Sequence, residues 1–507
     1  MVEPCGGAKK YILAVDEGTT GVRSLLFDES LKVVSHSYRK IESLHPGIAM
    51  VEQDPVAVVQ RTAQSMREAV ITSGIPARDI ACACLTTQRG TWLLYDRQTG
   101  MPYTNLIIWQ DTRGSFEKEL LLGNEEFCSR FPKSAAQMHD LGNHLCLSIH
   151  RVIRLDDDLQ QLLRTRQVAW GHMDTWLIYN LCREKQHVIS RNIAGTDLYL
   201  DFYRADTGRF NEELLPFIYL HSDNMPRVLY TTDDYGTLDP EILGVPIPVV
   251  SVSADQQAAL FAQGCHEAGM AKCTMGTGTF VDVNVGARHT VIEGLNSMVA
   301  WDFPGEQRFQ VEGSSVTSGA CLEWAKNNMQ LFDSFAQADE MAESVPDAAG
   351  VCFVPAIMGM NNVPFNNVRG RGSFMGLEAS ADRRHFVRAI MQGIAFAAVC
   401  IFETASQSIG SMSRIIIDGG VTRSDLICRI LCDLTGATVS RPKLLEASAL
   451  GVAEMAAIHL GWITKQDVPG LLEPGTIFVP SASTYSLRQQ YQLWKRAVER
   501  SKDWLEF

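Results

Sequence analysis

The chain has 507 residues, of which 46% are hydrophobic and 20% are charged, and its formal net charge is -13 at pH 7. Because one hydrophobic core rarely extends over so many residues, we expect a globular protein with two large domains. The acidic charge argues against a nucleic-acid binder, which needs a basic face to neutralise phosphates.

The cysteines and the apolar runs indicate the compartment. The 13 cysteines are scattered, odd in number and without C-x-x-C spacing. They favour a reducing compartment over a disulfide framework, and we expect a cytoplasmic protein. Residues 1–5 have no apolar core like that of a signal peptide. Apolar runs such as 393–402 are shorter than the ~20 residues that span a bilayer, so no transmembrane segment is predicted.

The first elements predict an antiparallel meander. Residues 11–16 form an apolar strand, 17–21 a tight Gly/Thr turn, 22–28 a returning strand and 32–39 a third strand. A short turn with glycine between two such runs is typical of a hairpin.

The next segments predict a site at the edge of a sheet. The apolar spacing in 55–74 predicts a helix, whereas 81–87 and 106–109 are predicted strands. The two strands are followed by Gln88-Arg89 and by Gln110-Asp111. Polar groups at strand ends are typical of a binding site in an α/β protein. Residues 115–160 show no clear period.

Residues 249–261 are the most informative part of the chain. The pattern predicts a buried strand that ends at Ser253 and a helix that begins near Asp255. A carboxylate at this junction can reach a bound hydroxyl and accept its proton. The alternative is that Asp255 only caps the helix, since Asp is among the preferred N-cap residues.

A strand-turn-strand pattern like the first one recurs. Residues 270–274 are a predicted strand, 275–279 a turn and 280–285 the returning strand. The small residues of both turns let phosphate oxygens approach the backbone, although either turn alone is also compatible with an ordinary hairpin. Two such turns flanking Asp255 favour a kinase that acts on an alcohol. The recurrence predicts two related domains that face each other across a cleft.

The remaining elements complete the second domain. We predict a long helix over 389–406, a strand over 414–418 that leads into Gly419-Gly420, and an alanine-rich helix over 448–460. We expect a first domain over residues 10–262, a second over 263–470, and a C-terminal helical extension over 471–507.

The chain carries ordered blocks that together resemble the FGGY carbohydrate kinases, and the glycerol kinases in particular. The blocks are Val15–Thr20, Ile108–Asp111, Asp174–Ile178, Ala254–Phe261 and Gly276–Phe280, followed by Gly372–Leu377, Asp418–Gly420 and Ser448–Gly451. The resemblance implies an α/β fold of two duplicated actin-like (ribonuclease H-like) ATPase domains around a central cleft. The polyol is expected mainly on the first domain and ATP mainly on the second.

The resemblance also implies roles for individual residues. Asp255 is the expected base, and Asp16 is the expected ligand of Mg²⁺, the alternative for Asp16 being a residue that caps the turn. Acceptor binding is implied for Arg89, Trp109, Asp255, Gln256 and Phe280, and ATP binding for Gly18, Thr19, Thr20, Arg23, Gly276, Thr277, Gly319, Glu323, Gly420 and Ser424. Glu323 stands where the family often has glutamine, so base recognition is expected to differ there.

The acceptor site departs from the family pattern. Gly90 stands where glycerol kinases carry a glutamate, and the lost charge-assisted contact is worth roughly 1.5–3 kcal/mol. The first FGGY signature is absent, with residues 147–152 in its place, and Leu145 lies nearest to the position of a tyrosine that touches glycerol. Within the family, the blocks at 253–257 and 275–280 are most similar to an atypical animal branch of the glycerol kinases.

These observations leave three hypotheses open. The first is an ATP-dependent kinase that converts glycerol or a related small polyol to its phosphate, giving glycerol 3-phosphate and ADP. The second is a kinase for a different sugar or polyol, which Gly90 favours. The third is a nucleotide-binding regulator with weak kinase activity, against which the retained Asp255 argues. Relatives of this kind are often homodimers or homotetramers.

Overall fold

The structure is a computed structural model that describes residues 10–140, 144–164, 167–198, 201–315, 317–360, 365, 367, 369–443, 446–473 and 475–505. Its strands, in chain order, are β1 (Tyr11–Gly18), β2 (Gly21–Phe27), β3 (Val33–Lys40), β4 (Glu52–Gln53), β5 (Ile80–Thr87), β6 (Trp92–Asp96), β7 (Leu106–Ile107), β8 (Val168–His172), β9 (Val188–Ser190), β10 (Tyr203–Arg204), β11 (Arg209–Phe210), β12 (Arg227–Leu229), β13 (Thr237–Leu238), β14 (Ile247–Ala254), β15 (Met270–Met275), β16 (Thr279–Gly286), β17 (Asn296–Phe303), β18 (Glu306–Ser315), β19 (Cys352–Val354), β20 (Ser373–Met375), β21 (Arg414–Asp418), β22 (Thr438–Arg441) and β23 (Thr476–Phe478).

Its α-helices are α1 (Pro55–Ser73), α2 (Lys118–Leu122), α3 (Glu125–Arg130), α4 (Pro132–Asp140), α5 (Leu145–Arg154), α6 (Asp157–Arg164), α7 (Met173–Leu181), α8 (Arg191–Ala194), α9 (Pro240–Leu243), α10 (Asp255–Ala262), α11 (Gly319–Asn327), α12 (Phe335–Glu343), α13 (Arg383–Ile409), α14 (Asp425–Thr435), α15 (Ala447–His459), α16 (Val468–Leu471) and α17 (Tyr485–Ser501).

The chain forms two compact units, each built from discontinuous segments. Unit 1 contains residues 1–264, 298–308 and 445–471, and unit 2 contains residues 265–297, 309–444 and 472–507. The predicted domains are continuous in the chain. In the structure, the segments 298–308 and 445–471, which follow the first predicted domain in the chain, are grouped with unit 1. The later of these segments carries α15, which packs on α10 within unit 1.

The main sheet of unit 1 has the strand order β13-β14-β5-β1-β2-β3. β1 pairs parallel with β5 and antiparallel with β2, and β14 pairs parallel with β5. All eight residues of β5 are buried, as expected for a central parallel strand that is covered on both faces. The predicted meander and the predicted β14–α10 junction are confirmed.

Unit 2 repeats this topology. Its sheet has the order β17-β18-β16-β15-β21-β22-β23, of which the hairpin residues 298–308 are grouped with unit 1. β15 pairs antiparallel with β16 and parallel with β21, as β1 does with β2 and β5. The run β22-β21-β15-β16-β18 therefore matches β14-β5-β1-β2-β3 strand for strand, which confirms the duplication predicted from the two hairpins.

The predicted long helix is α13, a core element of unit 2. By length and composition alone it could cross a membrane, but 78% of its most apolar 18-residue window is buried inside the protein. A buried core helix meets the same criterion, so α13 is weak support for a membrane span. Its length follows from apolar side chains on nearly every face between Val387 and Ala405.

Two short predictions differ from the structure. The strand over 106–109 is limited to β7 (Leu106–Ile107), so Trp109 lies beyond its end. The unreadable region 115–160 contains the short helices α2 to α6. Helices of five to ten residues cover only about one and a half to three turns, and they give too short a window for periodicity to be recognised.

Candidate functional site

Asp255 is held where β14 ends and α10 begins. The last residue of β14, Ala254, pairs with Thr87 at the end of β5 and occupies the N-cap position without a side-chain capping bond. Asp255 is thus the first helical residue, and its Oδ1 accepts a hydrogen bond of 2.7 Å from the backbone N–H of Gln256. Its side chain keeps 26% of its surface exposed, which leaves the carboxylate accessible to a ligand.

Arg89 is brought to Asp255 by the neighbouring strand. It follows β5 directly, and its Nε lies 3.7 Å from Oδ1 of Asp255. Its Nη1 donates to the Sδ of Met298 at 2.9 Å. The two predicted site residues are therefore neighbours because the parallel strands β5 and β14 end side by side. The guanidinium provides a fixed positive charge beside the carboxylate.

Asp16 lies on β1 among further charged residues. Burial, and then the charges of Asp255 and Glu446, raise the pKa of Asp16 to about 7, against a smaller opposing effect of Arg23. Arg23 pairs with Glu446 at 3.2 Å, and both side chains are partly exposed. Glu446 has a φ of 60° and directly precedes α15, a left-handed conformation that is uncommon for a residue other than glycine.

A hydrogen-bonded network fixes Trp109 against the first turn. The indole Nε1 of Trp109 donates to Thr19 Oγ1 at 2.8 Å, and Thr19 Oγ1 donates to Gln88 Oε1 at 3.1 Å. Gln88 Nε2 donates to Gln53 Oε1 at 3.1 Å, and Gln53 Nε2 donates back to the Thr19 carbonyl at 2.7 Å. The network begins and ends at Thr19, in the turn that the sequence predicts to be a phosphate loop.

Glu17 is the buried carboxyl group at the base of this network. It is fully buried, and Gln88 Nε2 lies 3.3 Å from its Oε1. Burial, followed by the charge of Asp16, raises the pKa of Glu17 well above its usual range. Burial beside Asp16 therefore disfavours the charged form of Glu17 relative to that of an exposed glutamate.

The first turn is a two-residue hairpin loop. Gly18 pairs with Gly21, which leaves Thr19 and Thr20 at the tip. The hydroxyl of Tyr38 donates to the Thr20 carbonyl at 3.0 Å, and a Cβ at Gly21 would lie 2.5 Å from that hydroxyl. Glycine is thus required at position 21, and the bond from Tyr38 ties the tip of the turn to β3.

The second turn is joined to the start of α11. The backbone N–H of Gly319 donates to the Gly276 carbonyl at 2.9 Å, and that of Ala320 donates to the Thr277 carbonyl at 3.1 Å. A Cβ at Gly319 would lie 2.6 Å from the Gly276 carbonyl oxygen. Three of the predicted nucleotide residues, Gly276, Thr277 and Gly319, are therefore brought together in unit 2.

Gly419 and Gly420 lie beside the strand that enters the second turn. A Cβ at Gly419, whose φ is 93°, would collide with the carbonyl of Met275, whereas one at Gly420 would meet nothing within 4 Å. Ser424 is buried at the N-cap position of α14. Gly420 thus leaves an open backbone surface in unit 2, which fits the close approach of a ligand.

The other predicted residues of unit 2 are placed as follows. Glu323 is exposed on α11 and accepts from Asn327 Nδ2 at 3.1 Å. Phe280 is half-buried on β16 and pairs with Ser314 of β18.

An ion pair that the sequence analysis did not single out lies in the sheet of unit 2. Lys272 of β15 and Asp282 of β16 are both fully buried, and their Nζ and Oδ2 are 2.8 Å apart. Burial disfavours the charged lysine, but Asp282, Asp418 and Glu312 outweigh it and raise the pKa of Lys272. The sequence of a strand does not reveal such a pair, because a buried lysine and a solvent-exposed lysine give the same pattern of polar and apolar residues.

Gly90 occupies the bend between Arg89 and β6. Its φ is 60°, and a Cβ there would lie 3.4 Å from Cβ of Trp109. The backbone shape disfavours a residue with a side chain. The turn at position 90 is therefore adapted to glycine.

The segment that replaces the first signature is helix α5. Leu145, Leu147 and Ile149 are buried, and the charged face of α5 surrounds the fully buried Glu117. Glu117 Oε2 lies 2.7 Å from His150 Nδ1, and its two oxygens accept from Arg151 and Arg154 at 2.8 to 2.9 Å. These contacts anchor α5, and none of them involves a residue predicted to bind the acceptor.

Several residues of the site were not predicted from the sequence: Glu17, Gln53, Gln88, Met298, Glu446 and Ser448. Ser448 Oγ donates to the backbone carbonyl of Asp255 at 3.1 Å. The polar residues at the end of β5 were a signal for Gln88. Glu17 and Ser448 lie within quoted blocks but received no role, whereas Gln53, Met298 and Glu446 come from distant parts of the chain and are only recognisable once the fold is known.

Comparison with known families and proteins shows the family of the chain. Residues 11–262 match the N-terminal domain profile of the FGGY family of carbohydrate kinases, and residues 271–460 match the C-terminal domain profile. The chain is 31% identical over 502 residues to a glycerol kinase of Alkaliphilus metalliredigens, covering 98% of this chain and 99% of that one. It is 32% identical over 508 residues to a glycerol kinase of Acaryochloris marina, with the same coverage.

Solved structures share the fold. The structure of Plasmodium falciparum glycerol kinase with ADP has a TM-score of 0.88 at 24% identity, covering 99% of this chain and 100% of that one. A ligand-bound xylulose kinase from Lactobacillus acidophilus has a TM-score of 0.82 at 16% identity, covering 97% and 98%. The expected two-domain actin-like α/β fold is confirmed.

Proposed function

The chain belongs to the FGGY family of carbohydrate kinases, and from this premise we propose that it transfers the γ-phosphoryl group of ATP to a terminal hydroxyl of glycerol or a related small polyol, with Asp255 as the base. As a member of this family it is a phosphotransferase with an alcohol group as acceptor. With glycerol, the products are glycerol 3-phosphate and ADP.

One observation carries the proposal: the accessible carboxylate of Asp255 next to the guanidinium of Arg89. The two groups lie 3.7 Å apart at adjacent strand ends. Phosphoryl transfer needs alignment, charge neutralisation and a group that accepts the hydroxyl proton. Asp255 accepts that proton, Arg89 holds a second hydroxyl, and Gln256 and Trp109 complete the grip on the polyol. Phe280 provides an apolar contact.

ATP binding is proposed for the two turns and their surroundings. In unit 1 these are Gly18, Thr19, Thr20 and Arg23, and in unit 2 Gly276, Thr277, Gly319, Glu323, Gly420 and Ser424. The amides of the hairpin tips and the open surface at Gly420 support this assignment. Arg23 is paired with Glu446, so it has to exchange this partner for phosphate oxygens.

Mg²⁺ is proposed to bind Asp16. In the described part of the chain no group of three or more His, Cys, Asp or Glu side chains could hold a metal ion alone. This fits Mg²⁺, which typically takes one or two carboxylates and completes its shell with water and substrate phosphates. The negative surroundings of Asp16 also favour a cation. When bound, the ion neutralises charge on the phosphates.

A second candidate is a kinase for a different sugar or polyol. Gly90 favours it, because a residue with a side chain is disfavoured at its φ of 60°, so position 90 offers the acceptor no side-chain group to bond. An acceptor other than glycerol is compatible with that loss. The family assignment is the same for both candidates, and they differ only in the acceptor.

We further propose a cytoplasmic enzyme with a small-molecule partner. No disulfide joins the 12 cysteines within the described ranges, which suits a reducing compartment. The net charge of -13 gives no reason to expect nucleic acid as a partner. A homodimer or homotetramer remains the proposal for its assembly.

An acceptor panel tests the function. The purified protein is incubated with Mg-ATP and glycerol, longer polyols or ketoses, ADP release is followed by a coupled assay, and products are identified by mass. Phosphorylated glycerol supports the first candidate, and another phosphorylated acceptor supports the second. ATP binding without any phosphorylated product would overturn both and favour a nucleotide-binding regulator.

A further inference from the structure

Asn192 is a buried amide in unit 1 that none of the roles above includes. It follows β9 as part of the short helix α8, and its relative exposure is 0%. A fully buried amide is stable only when its donors and acceptor are matched by partners. Its contacts therefore show what it holds in place.

One contact reaches the strand that carries the proposed base. Asn192 Nδ2 donates to Ser253 Oγ at 2.7 Å. Ser253 is the next-to-last residue of β14, two residues before Asp255, and its Oγ in turn donates to the Ala254 carbonyl at 3.1 Å. The amide thus fastens the end of β14 just before the chain turns into α10.

The second contact reaches β17, the strand whose Met298 accepts a hydrogen bond from Arg89. Asn192 Nδ2 also lies 3.3 Å from the carbonyl oxygen of Ala300 on β17. Met298, whose Sδ accepts from Arg89 Nη1, lies two residues earlier on that strand. Only Val299 separates Met298 from Ala300 on β17, so the bond to the Ala300 carbonyl holds the backbone next to Met298.

The side-chain oxygen of Asn192 is also hydrogen-bonded. Ser190 Oγ donates to Asn192 Oδ1 at 3.0 Å, and the backbone N–H of Ser190 donates to Asp174 Oδ2 at 3.1 Å. Ser190 and Asp174 are fully buried. Asn192 is therefore the branch point of a buried network with one arm towards each member of the Asp255–Arg89 pair.

We infer that Asn192 is a positioning residue that sets the geometry of Asp255 relative to Arg89, an inference that rests on the function proposed above. It touches neither group and acts through Ser253 and the Ala300 carbonyl. Proton transfer depends steeply on geometry, because a displacement of about 1 Å can lower a rate by about 100-fold.

The main test is the variant Asn192→Asp, compared with Asn224→Asp. Asn224 is equally buried in unit 1, and its Nδ2 donates to the Val168 carbonyl at 2.9 Å without a link to Asp255. Both substitutions replace a buried donor by an acceptor of the same size. We expect kcat to fall at least tenfold in Asn192→Asp, with ATP affinity unchanged, and to stay within twofold in Asn224→Asp. Equal loss of kcat in both variants would overturn the inference.

A second variant covers the case in which Asn192→Asp fails to fold. Ser253→Ala removes the acceptor of the Asn192 bond without introducing a charge. We expect at least a threefold drop in kcat with a thermal midpoint close to that of the unchanged protein, and a shifted pH profile of kcat. Unchanged kcat and pH profile in Ser253→Ala would overturn the inference.

Asp255→Asn separates this inference from the proposed function. If Asp255→Asn keeps full turnover, the proposed base is wrong and the positioning role fails with it. Only the positioning role is rejected if Asp255→Asn is inactive, Asn192→Asp has the same kcat as Asn224→Asp, and Ser253→Ala has the same kcat as the unchanged protein.

Discussion

At the scale of single residues, the backbone conformation of Gly90 affects stability independently of any side-chain contact with the acceptor. Its φ of 60° predicts that Gly90→Ala lowers the free energy of unfolding by about 1–2 kcal/mol, because a Cβ is disfavoured in the left-handed region. Urea denaturation measures this loss. No loss of stability in Gly90→Ala would show that the bend tolerates a side chain.

The pair Gly90→Glu and Gly90→Ala then addresses the acceptor. Both place a Cβ in the same strained backbone, so their difference reports the longer side chain of glutamate with its carboxylate. Tighter glycerol binding in Gly90→Glu than in Gly90→Ala would show that the pocket is otherwise suited to glycerol. Equal affinities would favour a different acceptor.

Asp174 makes stability depend on pH. Burial raises its pKa to about 6 from an ordinary value of 3.8. The folded protein therefore holds a proton that the unfolded chain has released, and this contribution is complete below pH 3.8 and lost as the pH rises to about 6. We expect roughly 3 kcal/mol of stability to be lost over this range.

The variant Asp174→Asn tests this dependence. It keeps an oxygen for the Ser190 N–H but cannot ionise, so its unfolding free energy should fall less between pH 4 and pH 6, by roughly 3 kcal/mol at most. Equal pH profiles for the two proteins in urea titrations would contradict the assignment.

At the scale of elements, α5 depends on Glu117. Bonds from Arg154, Arg151 and His150 outweigh the effect of burial and lower the pKa of Glu117 to about 2. Glu117→Gln leaves the cations Arg151 and Arg154 without their common partner and should destabilise the protein by about 3 kcal/mol. Glu126→Gln is the control, since Glu126 is 70% exposed in its pair with Arg130 and should change stability by less than about 1 kcal/mol. Similar losses in both variants would contradict the anchoring role.

The contact between α10 and α15 depends on Gly451. A Cβ at this position would collide with the backbone carbonyl of Ala258, so Gly451→Ala has to push the helices apart. We expect a loss of about 1–3 kcal/mol and a lower kcat, because α10 begins at Asp255. Gly470→Ala is the control, since a Cβ there meets nothing within 4 Å. Unchanged turnover in Gly451→Ala would show that the helix spacing does not affect the base.

Elements with a strong local pattern could be predicted from the sequence. The two hairpins, α1 and the β14–α10 junction follow from apolar periodicity and turn glycines. Helices α2 to α6 could not, since each is too short to show a period. The network of Trp109 and the branch point at Asn192 could not either, because their partners are brought together only by the tertiary fold.

At the scale of the whole molecule, duplication explains where the predicted residues lie. Each repeat has a hairpin turn next to a parallel strand, and the first repeat adds the carboxylates Asp16 and Asp255. Chain order suggested contiguous domains, whereas the segment 445–471 is grouped with unit 1. The sequence pattern of that segment shows an alanine-rich helix but contains no information about its partner.

The most direct measurement compares Asp255→Asn with the unchanged protein in single reactions with Mg-ATP and the accepted polyol. The substitution keeps the size of the side chain and removes the proton acceptor. We expect phosphorylated product to fall by at least about 100-fold, as for loss of a general base, while calorimetry shows unchanged ATP binding. Full turnover in Asp255→Asn would contradict the proposed mechanism.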